Sequence, residues 1–193
     1  MEAGALRQDF TELLEGSPII AAVKDFHGLE VCMTSECRVV FVLFGDICNI
    51  AQIVHTIKAG GKTAIVHIDL IDGLSSKDVA VRFLRENTEA DGIISTRTNL
   101  IKLAHEQGFL TIQRFFLIDS IALANVRKTM DGGVADFVEI LPGVMPKIVR
   151  RIASYSAAPL IAGGLISDKE DVISILQAGA TAISTTCADC WFM

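Results

Sequence analysis

The chain has 193 residues, half of them hydrophobic, few aromatic side chains and a net charge of −6. That length suits one domain, and the apolar content excludes a disordered chain. The acidic balance argues against broad electrostatic binding to nucleic acid or anionic membrane, while leaving room for a local basic patch.

An amphipathic stretch at about Leu6 to Leu14 reads as a helix able to cover one end of the fold. No signal-peptide pattern stands at the N-terminus. Eight β-branched runs then follow: I-I-A-A-V, V-V-F-V-L-F, T-A-I-V-H-I-D, D-G-I-I-S, L-T-I-Q-R-F, F-V-E-I-L, P-L-I-A-G and A-I-S-T-T. The longest of them are too short to span a bilayer, so no membrane partner is expected. Segments with apolar residues at helical spacing lie between the runs, as in V-A-V-R-F-L (Val79 to Leu84). Strict alternation of strand and helix predicts a parallel sheet. Eight such units predict an α/β fold, a compact (β/α)8 TIM-type barrel spanning residues 1–193 as a single domain. The chain is short for that fold, so the helices must be short. After the eighth run only C-A-D-C-W-F-M remains, which leaves the last helix short or missing. Cys32, Cys37, Cys48, Cys187 and Cys190 form no disulfide-rich pattern and read as reduced thiols of a cytoplasmic protein.

Ligands of this fold sit at the C-terminal ends of the strands. In H-I-D-L-I-D-G-L, strand alternation would put His67 and Asp69 on one face, a costly arrangement unless something satisfies them. G-G-L-I-S-D (Gly163 to Asp168) and I-S-T-T (Ile183 to Thr186) close strands seven and eight, the usual phosphate site of the fold. Glycines let backbone N–H groups approach an anion, and hydroxyls add donors. Gly163 and Gly164 with Ser184 to Thr186 therefore favour a phosphate site over a plain tight turn, with Ser167 or Asp168 as a helix cap. Lys24, Arg97 and Arg114 would bring three cations to the mouth, either to meet an oxyanion or to pair with Asp69 and Glu139. Those carboxylates would otherwise accept hydrogen bonds from ligand hydroxyls. Gln113 is a further polar residue at a strand end. His67 would serve as a base, but a satisfied core histidine is the plainer reading without a nucleophile beside it. Cys187-x-x-Cys190 has no second pair to complete a zinc site, and no P-loop, G-x-S-x-G or H-E-x-x-H occurs. No catalytic residue, metal or cofactor is expected.

Taken in order, H-I-D-L-I-D-G-L, D-G-I-I-S-T-R, I-Q-R-F-F-L-I-D-S, E-I-L-P-G, A-G-G-L-I and A-G-A-T-A-I-S-T-T resemble the glycerol-3-phosphate-responsive antiterminator family, from I-I-A-A-V-K-D onward. The tail C-A-D-C-W departs from the family pattern. The resemblance implies a (β/α)8 barrel that senses glycerol 3-phosphate, acts on the leader mRNA of glycerol-utilisation operons and catalyses nothing. It implies that His67 and Asp69 line a sensor's mouth, that Asp69 and Glu139 hold glycerol hydroxyls, and that Gly163, Gly164, Ser184 and Thr185 hold the phosphate.

An RNA surface is weakly marked, with no RNP motif, KH loop or aromatic platform. Cations stand late in the predicted helices: Lys58 and Lys62, Arg82 and Arg85, Arg127 and Lys128, Arg150 and Arg151. Helix macrodipoles favour them there in any case. A ring of them on the face opposite the ligand would also track phosphates, and Arg127, Lys128, Arg150 and Arg151 are the expected contacts. Two other functions stay open: a small phosphosugar enzyme of the isomerase or aldolase type, and a sensor acting through a protein partner. Whether the protein is a homo-oligomer is open too.

Overall fold

The computed structural model describes residues 2–75 and 77–193. Eight strands pair in chain order, all parallel: β1 (Ile19–Val23), β2 (Val39–Val42), β3 (Thr63–His67), β4 (Gly92–Ser95), β5 (Leu110–Phe116), β6 (Phe137–Leu141), β7 (Leu160–Gly163) and β8 (Ala182–Thr185). β1 also pairs with β8, in the register Ile20 to Ser184, and closes the barrel. Helix α1 (Glu2–Gly16) precedes the first strand. Seven crossover helices follow the strands in turn: α2 (Phe26–Met33), α3 (Ile50–Ala59), α4 (Asp78–Asn87), α5 (Thr98–Glu106), α6 (Ser120–Asp131), α7 (Pro146–Ala153) and α8 (Lys169–Gln177). After β8 a 3₁₀ turn, Ala188–Phe192, stands where an eighth helix would be. The (β/α)8 barrel predicted from the alternation is the observed fold.

Each strand is buried on both faces, which explains near-continuous apolar runs rather than apolar-polar alternation. Two separate cores result. Ile20, Phe41, Ile65, Ile94, Ile112 and Phe137 fill the barrel, while Val40, Val66, Ile93, Val138 and Ile183 pack outward against the helices. Phe10 and Leu14 of α1 join the inner core, and the Phe10 ring meets the edge of Phe137 with centroids 5.0 Å apart. Helix α1 thus plugs the N-terminal end, leaving the opposite end as the mouth.

Aspartates start three of the helices. Asp25, Asp119 and Asp168 each accept a hydrogen bond from a backbone N–H three residues on, at 2.6, 2.7 and 2.9 Å. Asp168 is the cap of α8. Ser167 is tied to the same turn, its N–H donating to Asp171 at 3.0 Å.

Two local readings change. β3 ends at His67, and Ile68–Leu70 forms a 3₁₀ turn, so His67 and Asp69 do not alternate along one strand. The Asp69 carboxylate is drawn over the end of β4, where it accepts from the Ser95 hydroxyl and from the Thr96 N–H at 2.8 Å. Gln113 alternates with Ile112 and Arg114 and so lies on the outer face of β5. There it borders a cavity of about 80 Å³ shared with Thr129 and Met130 of α6.

Candidate functional site

Inward-facing positions near the mouth end change from apolar to polar. The register of β5 and β6 sets Arg114 opposite Glu139, and that of β7 and β8 sets Gly163 opposite Ser184. The Arg114 Nε–H donates to Glu139 Oε2 and the Ser184 hydroxyl donates to Glu139 Oε1, both at 2.5 Å. Glu139 is completely buried, and Arg114 and Ser184 are nearly so. A carboxylate so far from water is tolerable only because a cation and a hydroxyl both engage it.

Gly163 makes this network possible. A Cβ there would run into the Ser184 hydroxyl and lie 2.8 Å from Glu139 Oε1. Gly164 follows with φ +77°, a left-handed conformation that glycine adopts without steric cost. The loop is also braced from below. Gly143 N–H donates to Gly164 O, and the Thr185 hydroxyl donates to Ile166 O at 2.7 Å. Thr185 in turn accepts from the Cys187 N–H, and its carbonyl takes the Trp191 indole N–H at 2.9 Å. Thr185 therefore faces the helix side, whereas Ser184 faces into the barrel. The C-terminal tail serves to hold the end of β8.

The remaining mouth residues differ in freedom. Lys24 stands exposed just past β1. Arg97 is about half exposed, with its Nε 3.7 Å from Asp69 Oδ1. Asp69 is almost saturated by Ser95 and Thr96. His67 is 3% exposed, with Nδ1 3.9 Å from Asp69 Oδ2 and without a hydrogen-bond partner among the described residues. Burial lowers its pKa from 6.5 to about 4, helped by the nearby Arg114 charge; Asp69 and the ring's own backbone carbonyl pull the other way and lose.

The ring is consequently neutral at pH 7. Its folded pKa lies below the unfolded value, so between about 6.5 and about 4 the unfolded chain binds a proton that the folded chain does not. Stability should therefore fall on acidification through that window and be insensitive to this group above it. Urea unfolding midpoints followed against pH check this, and a His67→Gln protein should show a shallower decline.

Ser95 and Thr96 belong to the polar residues that the sequence sets at the strand ends, but their hold on Asp69 was not expected, and Gly143 was not among those residues. Their roles arise from contacts between sequence-distant strand ends, which no local pattern announces. Among the described residues, no group of three or more His, Cys, Asp or Glu side chains is arranged to hold a metal ion. Burial pushes the Cys32 thiol up to about 11.

The basic helix ends on the opposite face divide into two sets. Lys58 is paired with Asp91 at 2.7 Å, Lys62 donates to the carbonyls of Ser35 and Cys37, and Arg85 lies over the Phe109 ring. Those cations serve the fold. Arg82, Lys128, Arg150 and Arg151 are exposed, and Arg127, exposed too, lies over Tyr155 as Arg85 lies over Phe109, its guanidinium carbon 5.3 Å from the ring centroid.

The closed parallel sheet and the charge-paired, glycine-framed mouth define a compact (β/α)8 barrel. The family model for glycerol-3-phosphate responsive antiterminators matches residues 19–191, and the chain belongs to that family of transcription regulators. It is 46% identical over 179 residues to the uncharacterized protein YgcP of Escherichia coli K12, covering 93% of this chain and 94% of that one. The glycerol uptake operon antiterminator regulatory protein of Listeria monocytogenes superposes with a TM-score of 0.84 at 34% identity, over 88% of this chain and 92% of its own. A glycerol uptake operon antiterminator-related protein from Thermotoga maritima gives 0.80 at 33% identity, over 90% and 96%. No helix among the described residues is long and apolar enough to cross a membrane.

Proposed function

We propose that the protein is a cytoplasmic antiterminator that binds glycerol 3-phosphate in the barrel mouth and then engages the leader mRNA of glycerol-utilisation operons. The observation that carries the reading is the buried Arg114–Glu139–Ser184 network under the Gly163-Gly164 turn, in a chain of this family. The phosphate lies against the backbone of Gly163 and Gly164 and beside Ser184, while Thr185 holds the loop in shape. Lys24, Arg97 and Arg114 offset its charge. His67, Asp69 and Glu139 form the wall nearest the glycerol hydroxyls. Glycerol 3-phosphate acts as an effector and is not consumed. His67 has no nucleophile beside it, and the family to which the chain belongs is one of regulators, which supports an effector role for the ligand.

RNA contacts fall to Arg127, Lys128, Arg150 and Arg151 at the C-terminal ends of α6 and α7, on the face away from the mouth. One observation favours a second reading, regulation through a protein partner. Phe116 at the end of β5, and Ile118, Ile121 and Leu165 in the segments that follow β5 and β7, are exposed.

Thermal unfolding with a panel of phosphates tests the effector. A ligand confined to the native state and present at about 100 times its dissociation constant adds roughly 2.7 kcal/mol. Glycerol 3-phosphate should raise the melting temperature accordingly. A shift from another phosphate and none from glycerol 3-phosphate would reassign the ligand.

A further inference from the structure

We propose that His67 makes the mouth selective for an alcohol over a ketone at the central carbon of a phosphorylated three-carbon ligand, by accepting the alcohol's hydrogen bond. The inference rests on the effector reading above and adds what determines the choice of ligand.

Two buried side-chain polar atoms lack a hydrogen-bond partner among the described residues, His67 Nδ1 and Gln113 Oε1. Gln113 faces the helices, whereas His67 stands two residues after the inward-facing Ile65 at the end of β3, so its ring lies inside the barrel at the mouth end. A neutral imidazole carries one N–H and one lone pair. Asp69 Oδ2, 3.9 Å from Nδ1, favours the N–H on that nitrogen and leaves the lone pair on Nε2. The carboxylates are more heavily engaged. Asp69 Oδ2 takes the Ser95 hydroxyl and both the N–H and the hydroxyl of Thr96, Asp69 Oδ1 faces Arg97 at 3.7 Å, and Glu139 is wholly buried beneath Arg114 and Ser184. Donors, by contrast, are abundant in Lys24, Arg97 and Arg114. The imidazole is thus an acceptor with no partner among the described residues, and burial together with the Arg114 charge keeps it so at neutral pH.

A secondary hydroxyl donates to that lone pair. A ketone oxygen has only lone pairs to offer, so it and the ring nitrogen are left facing one another unpaired. A site built to bond a hydroxyl rejects the analogue that lacks one more strongly than an apolar pocket can.

The test is calorimetric titration of the wild type, His67→Leu and His67→Gln with glycerol 3-phosphate and with dihydroxyacetone phosphate, circular dichroism verifying the fold. The wild type should bind the alcohol about 10–100-fold tighter than the ketone. His67→Leu should lose that ratio by weakening for the alcohol, with ketone affinity held within about threefold. His67→Gln, whose amide oxygen accepts, should retain part of it. A wild-type ratio below about threefold, or a ratio unchanged in a folded His67→Leu protein, overturns the inference and leaves the effector reading standing. Absence of any binding of glycerol 3-phosphate to the wild type removes both. A wild-type ratio below about threefold overturns the inference even if neither variant folds.

Discussion

Replacing Arg114 with methionine is expected to cost about 3–5 kcal/mol of unfolding free energy, the range found when one partner of a buried ion pair is removed. Methionine keeps much of the volume of the side chain, so the loss is electrostatic rather than a cavity. Glu139, completely buried, would keep only the Ser184 hydroxyl as a partner for its negative charge. Removing the carboxylate as well should reverse most of the damage, because an apolar pair of similar size is often as stable as the ion pair it replaces. Urea unfolding at pH 7 of Arg114→Met and of Arg114→Met with Glu139→Leu measures both effects. A single variant within about 1 kcal/mol of wild type would mean that water or another cation already reaches Glu139.

Gly163→Ala is expected to abolish the response to glycerol 3-phosphate, with affinity reduced by at least about 100-fold. Its methyl group would displace the Ser184 hydroxyl and crowd Glu139 Oε1, so that the network and the loop above it both shift. Overpacking of this kind costs roughly 1–3 kcal/mol, which a barrel of this size should survive. Gly164→Val acts differently. At φ +77° a β-branched residue is strained, and its Cβ would lie 3.3 Å from Leu141. Calorimetric titration of both folded variants should show no binding at ligand concentrations that saturate the wild type. Unchanged affinity in a folded Gly164→Val protein would move the phosphate site elsewhere in the mouth.

The barrel was legible because its signals are local. β-branched runs separated by helical spacing dictate a parallel sheet, and eight of them dictate closure. The turn at Gly163 and Gly164 could be read in the same way, as could a cap for α8 at Ser167 or Asp168, of which Asp168 holds the place. What could not be read depends on register. Arg114 had two open partners, a ligand or a carboxylate, and only the β5–β6 alignment sets it against Glu139. Gln113 and Arg114 are neighbours in the chain, yet the pleat sends one to the helices and the other into the barrel. His67 and Asp69 resembled a shared strand face because nothing in the sequence shows that Ser95 and Thr96 bend Asp69 over the end of β4. The basic helix ends looked like one ring, but Lys58 and Lys62 are committed to Asp91 and to backbone carbonyls, which leaves the exposed Arg82 of α4 and the α6–α7 set.

Coupling between mouth and RNA is the central claim, and leader-RNA binding measured with and without glycerol 3-phosphate tests it most directly. A regulator responds to a ligand only if that ligand binds one of its states better than another. Glycerol 3-phosphate should therefore tighten RNA binding, and RNA should tighten ligand binding by the same factor. Arg150→Glu with Arg151→Glu should weaken RNA binding and flatten its salt dependence, since fewer phosphate contacts release fewer counterions. Ligand affinity in the absence of RNA should stay within about twofold of wild type, because the two faces share no residues. Leader-RNA affinity that is indifferent to saturating glycerol 3-phosphate would contradict the sensing mechanism, and normal affinity with a normal salt slope in the charge-reversed protein would contradict the RNA surface.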